Sequence, residues 1–128
     1  MVTYLWIAVG SALGGMARFW FSSTIDGLIG ETFPWGTFVV NLTGSFVIGL
    51  FGTLAGPEGR WFLPTDARIF LMVGLCGGYT TFSSFSYQTL NLARDGEWLW
   101  ASANVAMSVI ICLAAVWLGH VAAATINR

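Results

Sequence analysis

The stretch LMVGLCGGYTTFSSFSYQTL, Leu71 to Leu90, carries no charge along its whole length. About 20 such residues suffice to carry a helix across a bilayer. Yet its centre is not apolar. Gly77 and Gly78 stand side by side, a run of hydroxyl side chains follows, and Phe82 and Phe85 are spaced three apart among them. Adjacent glycines weaken a helix by about 1 kcal/mol each relative to alanine. Unwound backbone survives at membrane depth only where it is buried in protein or lines a cavity. The stretch therefore reads as a transmembrane helix broken near its middle, over positions 77–81, with a second half-helix opening near Thr81. Such a break frees carbonyls from Gly77 to Thr80 for a cation and N–H groups for an anion.

The rest of the chain supports a membrane setting. Of 128 residues, 56% are apolar and only 9% charged, against roughly 25% charged in soluble domains. Mean hydropathy is +0.75. The charges bound four windows. Thr3 to Ile25 holds only Arg18, nothing ionises between Glu31 and Glu58, and nothing charged lies between Arg68 and Arg94 or between Glu97 and Arg128. Each window is long enough to span. The expected fold is all-α and integral to the membrane, one domain over residues 1–128, with helices at about 3–25, 34–55, 67–92 and 98–123. Helix 1 lacks a basic start and a small-residue cleavage site, so we expect it to be retained and not removed as a signal peptide. The seven tryptophans fall mostly near the expected helix ends, as in interfacial aromatic belts.

Several function classes are excluded. The chain has no phosphate loop, no HExxH and no basic tract for nucleic acid. Cys76 and Cys112 lie inside expected spans and read as packing residues. His120 stands alone near the end of helix 4, which favours a structural role. Asp26, Glu31, Glu58, Asp66, Asp95 and Glu97 all fall in expected loops or at helix ends. A proton-coupled exporter of cations, such as the four-helix small multidrug resistance transporters, needs a carboxylate within the membrane. This chain has Arg18 in its first helix instead.

Orientation follows the Lys/Arg asymmetry of short loops. Arg60, Arg68 and Arg128 lie on the face shared by the termini; Arg94 lies opposite, with Arg18 closer to that side, and there is no lysine. So weak a bias allows insertion in both directions, and with it an antiparallel homodimer. Four helices also enclose little room for a pathway by themselves. Gly10, Gly14 and Gly15 in helix 1, and Gly44 and Gly49 in helix 2, permit close helix approach, within one chain or between two.

The polar residues inside the spans are the candidate site. Arg18 either snorkels to the interface or faces an aqueous vestibule and attracts anions. Asn41 either bonds between helices or offers a donor to a pathway. Asn104, Ser108 and Cys112 recur every four residues, on one face of helix 4, which lines a pathway or a helix contact. After the break Phe82 and Phe85 share one face, and Thr81, Ser84 and Gln88 the next. Aromatic rings carry a positive edge. Ring edges beside hydroxyl and amide donors suit a small anion.

These residues resemble a known family. GGYTTFSSF, Gly77 to Phe85, is similar to the signature GGxTTFSTF of the Fluc (CrcB) fluoride channels. GTFVVNLTG, Gly36 to Gly44, resembles their second-helix motif, and GGMAR, Gly14 to Arg18, their first. The resemblance covers all four helices. It implies an antiparallel, dual-topology homodimer in the inner (plasma) membrane of a prokaryote, with two pores that pass fluoride passively and reject chloride. It implies that Phe82 and Phe85 contact fluoride through their edges and that Asn41 contributes a donor. It further implies that Gly77 and Thr80 hold a structural sodium ion through their carbonyls, and that Arg18 lies by the vestibule. Three positions depart from the pattern. Ser84 replaces a threonine, Gln88 stands where many members have glutamate, and Asn104 stands where an aromatic hydroxyl is expected.

The reading that follows is a passive fluoride channel with no enzymatic activity, its anion pathway drawn from Phe82, Phe85, Asn41, Thr81, Ser84, Ser108, Asn104 and Arg18. The alternatives are a small proton-coupled exporter and an anchor subunit with no transport of its own.

Overall fold

The computed structural model describes residues 1–57 and 59–128. Glu58, expected in the second loop, lies outside the described residues. In lipid a backbone must satisfy its own N–H and C=O groups, which leaves helices as the solution for apolar runs, and the described chain is helical nearly throughout. Helix α1 runs Val2–Ile29, four residues beyond the Ile25 expected from sequence. It stops at Gly30, whose φ of 109° suits only glycine among ordinary residues. Asp26 thus lies in the last turn of a helix, not in the loop where its charge suggested it belonged. There it has a structural task. Its Oδ1 accepts a 2.7 Å bond from the Gly36 N–H, satisfying a first-turn donor of α2 that no carbonyl can reach.

Helix α2 spans Trp35–Leu54. The third span starts as α3 (Thr65–Ile69), widens into a π-helical segment (Phe70–Cys76) and closes with α4 (Gly77–Tyr79). Thr80 and Thr81 are then extended, at φ/ψ of −81°/157° and −151°/114°. The chain resumes as α5, Phe82–Arg94, and ends with α6, Trp98–Asn127.

The break therefore falls later than the glycine pair suggested. Gly77 is helical, at φ −64° and ψ −37°. What the glycines provide is proximity. A Cβ on Gly78 would lie 2.8 Å from the Ser11 Cα, and one on Gly10 would lie 2.9 Å from the Gly74 Cα. Those distances are too short for any side chain, so α1 and the first half of the third span meet backbone to backbone.

Helix α1 and this half-span run in the same direction. Thr3 bonds Asp66 at one end, and Phe21 meets Tyr79 edge-on near the break. Helix α2 packs most extensively on α6, again in parallel, with Phe33 against Trp100 at one end and Thr53 bonded to His120 at the other. Gly49 abuts the Val116 carbonyl, and Gly119 the Phe46 carbonyl. The glycines at 10, 14, 44 and 49 thus all serve contacts within the chain, whereas Gly15 faces only the Arg18 side chain.

Among the described residues, three helical segments are long and apolar enough to cross a membrane: Trp35–Leu54, Thr65–Arg94 and Trp98–Asn127. Helix α1 has the length, about 42 Å at 1.5 Å per residue, but Arg18 dilutes its hydropathy. It lies alongside the third span from Thr3 to Phe21. The surface matches: Leu5, Phe19, Ile110 and Leu113 are each more than 60% exposed, as a lipid-facing exterior requires. The chain is a multi-pass membrane protein.

Candidate functional site

The break is held by one side chain. Asn41 Oδ1 accepts from the Thr81 N–H at 2.7 Å, and Asn41 Nδ2 donates to the Thr81 carbonyl at 3.0 Å. The amide of α2 thus substitutes for a neighbouring turn of helix on both sides of one unwound residue. Thr81 then caps α5: its Oγ1 accepts from the Ser84 N–H at 3.2 Å, the usual service of a threonine at a helix start. Its hydroxyl lies 3.1 Å from the Ser84 hydroxyl, to which it donates. Gly44, one turn beyond Asn41, leaves room for the Thr80 methyl and the Tyr79 ring.

These substitutions release specific carbonyls. In an unbroken helix the Thr81 N–H would bond the Gly77 carbonyl, and the Ser84 N–H would bond that of Thr80. Both donors are engaged elsewhere, by Asn41 and by the Thr81 hydroxyl. Gly77 and Thr80 are therefore left with acceptors to spare, oxygen ligands of the type that suits a small hard cation. The first-turn N–H groups of Phe82 and Ser83 likewise have no helical partner. They sit at the positive end of the α5 dipole.

A groove of about 400 Å³ runs past the break. Asn41, Gly77, Thr80, Thr81, Phe82, Phe85 and Ser108 all line it, together with Cys76 and Cys112 and an apolar wall that includes Ile48 and Leu113. The two rings lie 5.3 Å apart between centroids, tilted by 51°. They differ in setting: Phe85 is 8% exposed and Phe82 is 77% exposed. Among the described residues, no arginine, aspartate or glutamate lines the groove.

Three of the residues expected there are elsewhere. Ser84 turns its hydroxyl to Thr81. Asn104 is 2% exposed and lies behind the wall, where its Nδ2 donates to the Thr89 Oγ1 at 2.9 Å and its Oδ1 accepts from Ser108 at 3.3 Å. Arg18 stays half-buried on α1, away from the groove. Gln88 lines a separate recess of about 290 Å³ with Asp26, Glu31 and Asp95, and its buried Oε1 has no partner among the described residues.

The sequence reading missed Thr89 and Ser45. Ser45 lines the groove four residues after Asn41, a spacing that could have flagged it. Thr89 sits four residues after Phe85, and its hydroxyl donates to the Phe85 carbonyl at 2.7 Å. Among the described residues, the groove has no nucleophile–base pair and no cluster of metal-ligating side chains. What it offers is uncharged: hydroxyls, two aromatic rings, free carbonyls and a helix start.

The profile described as CrcB-like protein, Camphor Resistance (CrcB), matches residues 5–120. A protein of Rhodospirillum rubrum named fluoride-specific ion channel FluC is 62% identical over 127 residues, 99% of this chain and 98% of that one. Proteins of the same name from Methylocella silvestris and Paramagnetospirillum magneticum are each 59% identical, over 98% and 100% of this chain and 95% and 100% of theirs.

Proposed function

The chain belongs to the CrcB-like family, and we propose on that footing that it is a passive, fluoride-selective ion channel through which a cell releases fluoride. It is not an enzyme. The observation that carries the reading is the groove at the break, lined by uncharged residues: Thr81 at the start of α5, Phe82, Phe85 and Ser108.

Fluoride is small and holds its water tightly, so a pathway must replace that water with closely spaced donors. The Phe82 and Ser83 N–H groups, the second hydrogen of Asn41 Nδ2 and the positive ring edges are such donors. The apolar wall keeps bulk water out of the competition. Among the described residues no carboxylate lines the groove, which argues against the proton-coupled exporter. That reading needs a carboxylate to bind proton and substrate in turn.

The functional unit in this proposal is an antiparallel homodimer with two pores, in the inner membrane of a bacterium. Two features support it. Phe82 is 77% exposed beside a groove open along one side, so a single chain forms only part of a wall. The arginines are nearly balanced between the two ends, so neither orientation is strongly favoured. A sodium ion at the dimer centre belongs to the same proposal. The Gly77 and Thr80 carbonyls, freed by the break, are the groups that would hold it. A bound cation would neutralise the oxygen dipoles where two copies meet.

The test is purified protein in liposomes loaded with fluoride and followed with a fluoride electrode. Rapid efflux without a proton gradient, and none of chloride, is the expected result. Efflux that requires a proton gradient would favour the exporter, and no flux of either kind would leave only an anchor.

A further inference from the structure

Helix α5 carries both rings yet is poorly anchored. Its one buried residue is Phe85, and its principal neighbour is α6. The Asn41 clamp fixes its start. One polar chain fixes its middle: the Ser108 hydroxyl donates to Asn104 Oδ1 (3.3 Å), Asn104 Nδ2 donates to Thr89 Oγ1 (2.9 Å), and the Thr89 hydroxyl donates to the Phe85 carbonyl (2.7 Å). Asn104 is 2% exposed, the most buried polar side chain described. A buried amide persists where its partners are in place, because an unpaired one is costly.

Building on the proposed channel reading, we propose that Asn104 is a positioning residue of the pathway, the pin that fixes α5, and with it the Phe85 ring, against α6 through Thr89. It does not touch the anion. Its Oδ1 also sets the Ser108 hydroxyl. That hydroxyl has a single proton, which Asn104 draws away from the groove. An anion arriving at Ser108 competes with Asn104 for it.

The test compares Asn104→Leu, Thr89→Val, the double variant and Thr89→Ser in the full-length protein. Two measurements are made: fluoride efflux from liposomes, and amide hydrogen exchange across residues 82–94. Each of the first two substitutions leaves one partner unpaired, so each is expected to slow efflux about fivefold to tenfold and to raise exchange in α5. The double variant is expected to be no worse than either single one, because both remove the same bond. Thr89→Ser keeps the hydroxyl and is expected to recover most of the flux lost in Thr89→Val. Additive losses in the double variant, or no recovery with serine, would overturn the pin. If Asn104→Leu does not fold, Thr89→Val against Thr89→Ser still decides the matter. If the wild-type protein carries no fluoride, the channel reading fails by itself. The exchange of residues 82–94 then decides the pin alone, and unchanged exchange in Asn104→Leu and Thr89→Val refutes it.

Discussion

Replacing Asn41 with leucine should destabilise the protein more than any other single loss of a polar side chain near the groove. Leucine has similar bulk, so the change removes hydrogen bonds without opening a large void. It leaves two backbone groups of Thr81 without partners, the N–H now bonded at 2.7 Å and the carbonyl at 3.0 Å. Thr81 is only 7% exposed, so water does not readily take over. An unsatisfied buried backbone group costs about 1–3 kcal/mol. Because Asn41 itself is half-buried, we take the lower half of that range for each group, about 2–4 kcal/mol in all. Asn41→Asp separates the two bonds. Its carboxylate still accepts from the Thr81 N–H but donates nothing to the Thr81 carbonyl, so the loss should be about half as large, before the cost of burying a charge. The assay is thermal or denaturant unfolding of detergent-solubilised protein, with fluoride efflux measured in parallel. Asn41→Leu as stable as the wild type, and conducting normally, would refute the clamp. Loss of flux at unchanged stability would show that Asn41 acts on the anion directly and does not hold the break.

Three further outcomes are expected. Phe82→Ile and Phe85→Ile should each slow fluoride efflux about tenfold or more, the loss of roughly one ring-edge contact, while size-exclusion profiles stay unchanged; normal flux in both would end the ring-edge account. Gly78→Ala should lower stability by about 1–3 kcal/mol because the added methyl meets the Ser11 backbone, while Gly27→Ala, with open space around it, should leave stability unchanged or raise it; unfolding midpoints compare the two. Exchanging sodium for a bulky organic cation during purification should lower the unfolding temperature, and equal midpoints in the two buffers would argue against a bound sodium ion.

Much of the fold was legible because the membrane simplifies the problem. Charge-free windows and the loop carboxylates mark roughly where helices stop, while Asp26 and Asp66 fall inside the end turns of helices that run further than expected. The break was legible as an event, and so was the new half-helix opening at Thr81; only the start of the break was set too early. Gly77 and Gly78 suggested unwinding on propensity, but propensity is a weak prior beside packing. Gly78 is needed as a helical residue against Ser11, so the unwinding moves to Thr80 and Thr81. The π-helical segment had no signal in composition. The least legible feature was the use made of each amide. Asn41 and Asn104 look alike in sequence, each a lone asparagine in an apolar helix. Only the fold shows that Asn41 grips backbone at the break while Asn104 grips a threonine hydroxyl behind the groove wall.

The absence of charge in the groove is itself an argument about selectivity. A full positive charge about 4 Å from an anion contributes about 4 kcal/mol at an effective dielectric of 20. Chloride, only slightly larger, would feel nearly the same attraction, while fluoride would still be short of the water it had given up. Dipoles behave differently. The attraction of a helix N–H or a ring edge falls off faster with distance than that of a charge, so it rewards the ion that comes closest. It does so only if the dipoles are held in place, because floppy ones would follow the larger ion outward. The rigidity comes from the clamp of Asn41 on Thr81 and the tie of Asn104 to Thr89. Arg18, the one charge deep in a span, is set apart on α1, where it can draw anions toward the protein without joining the choice among them.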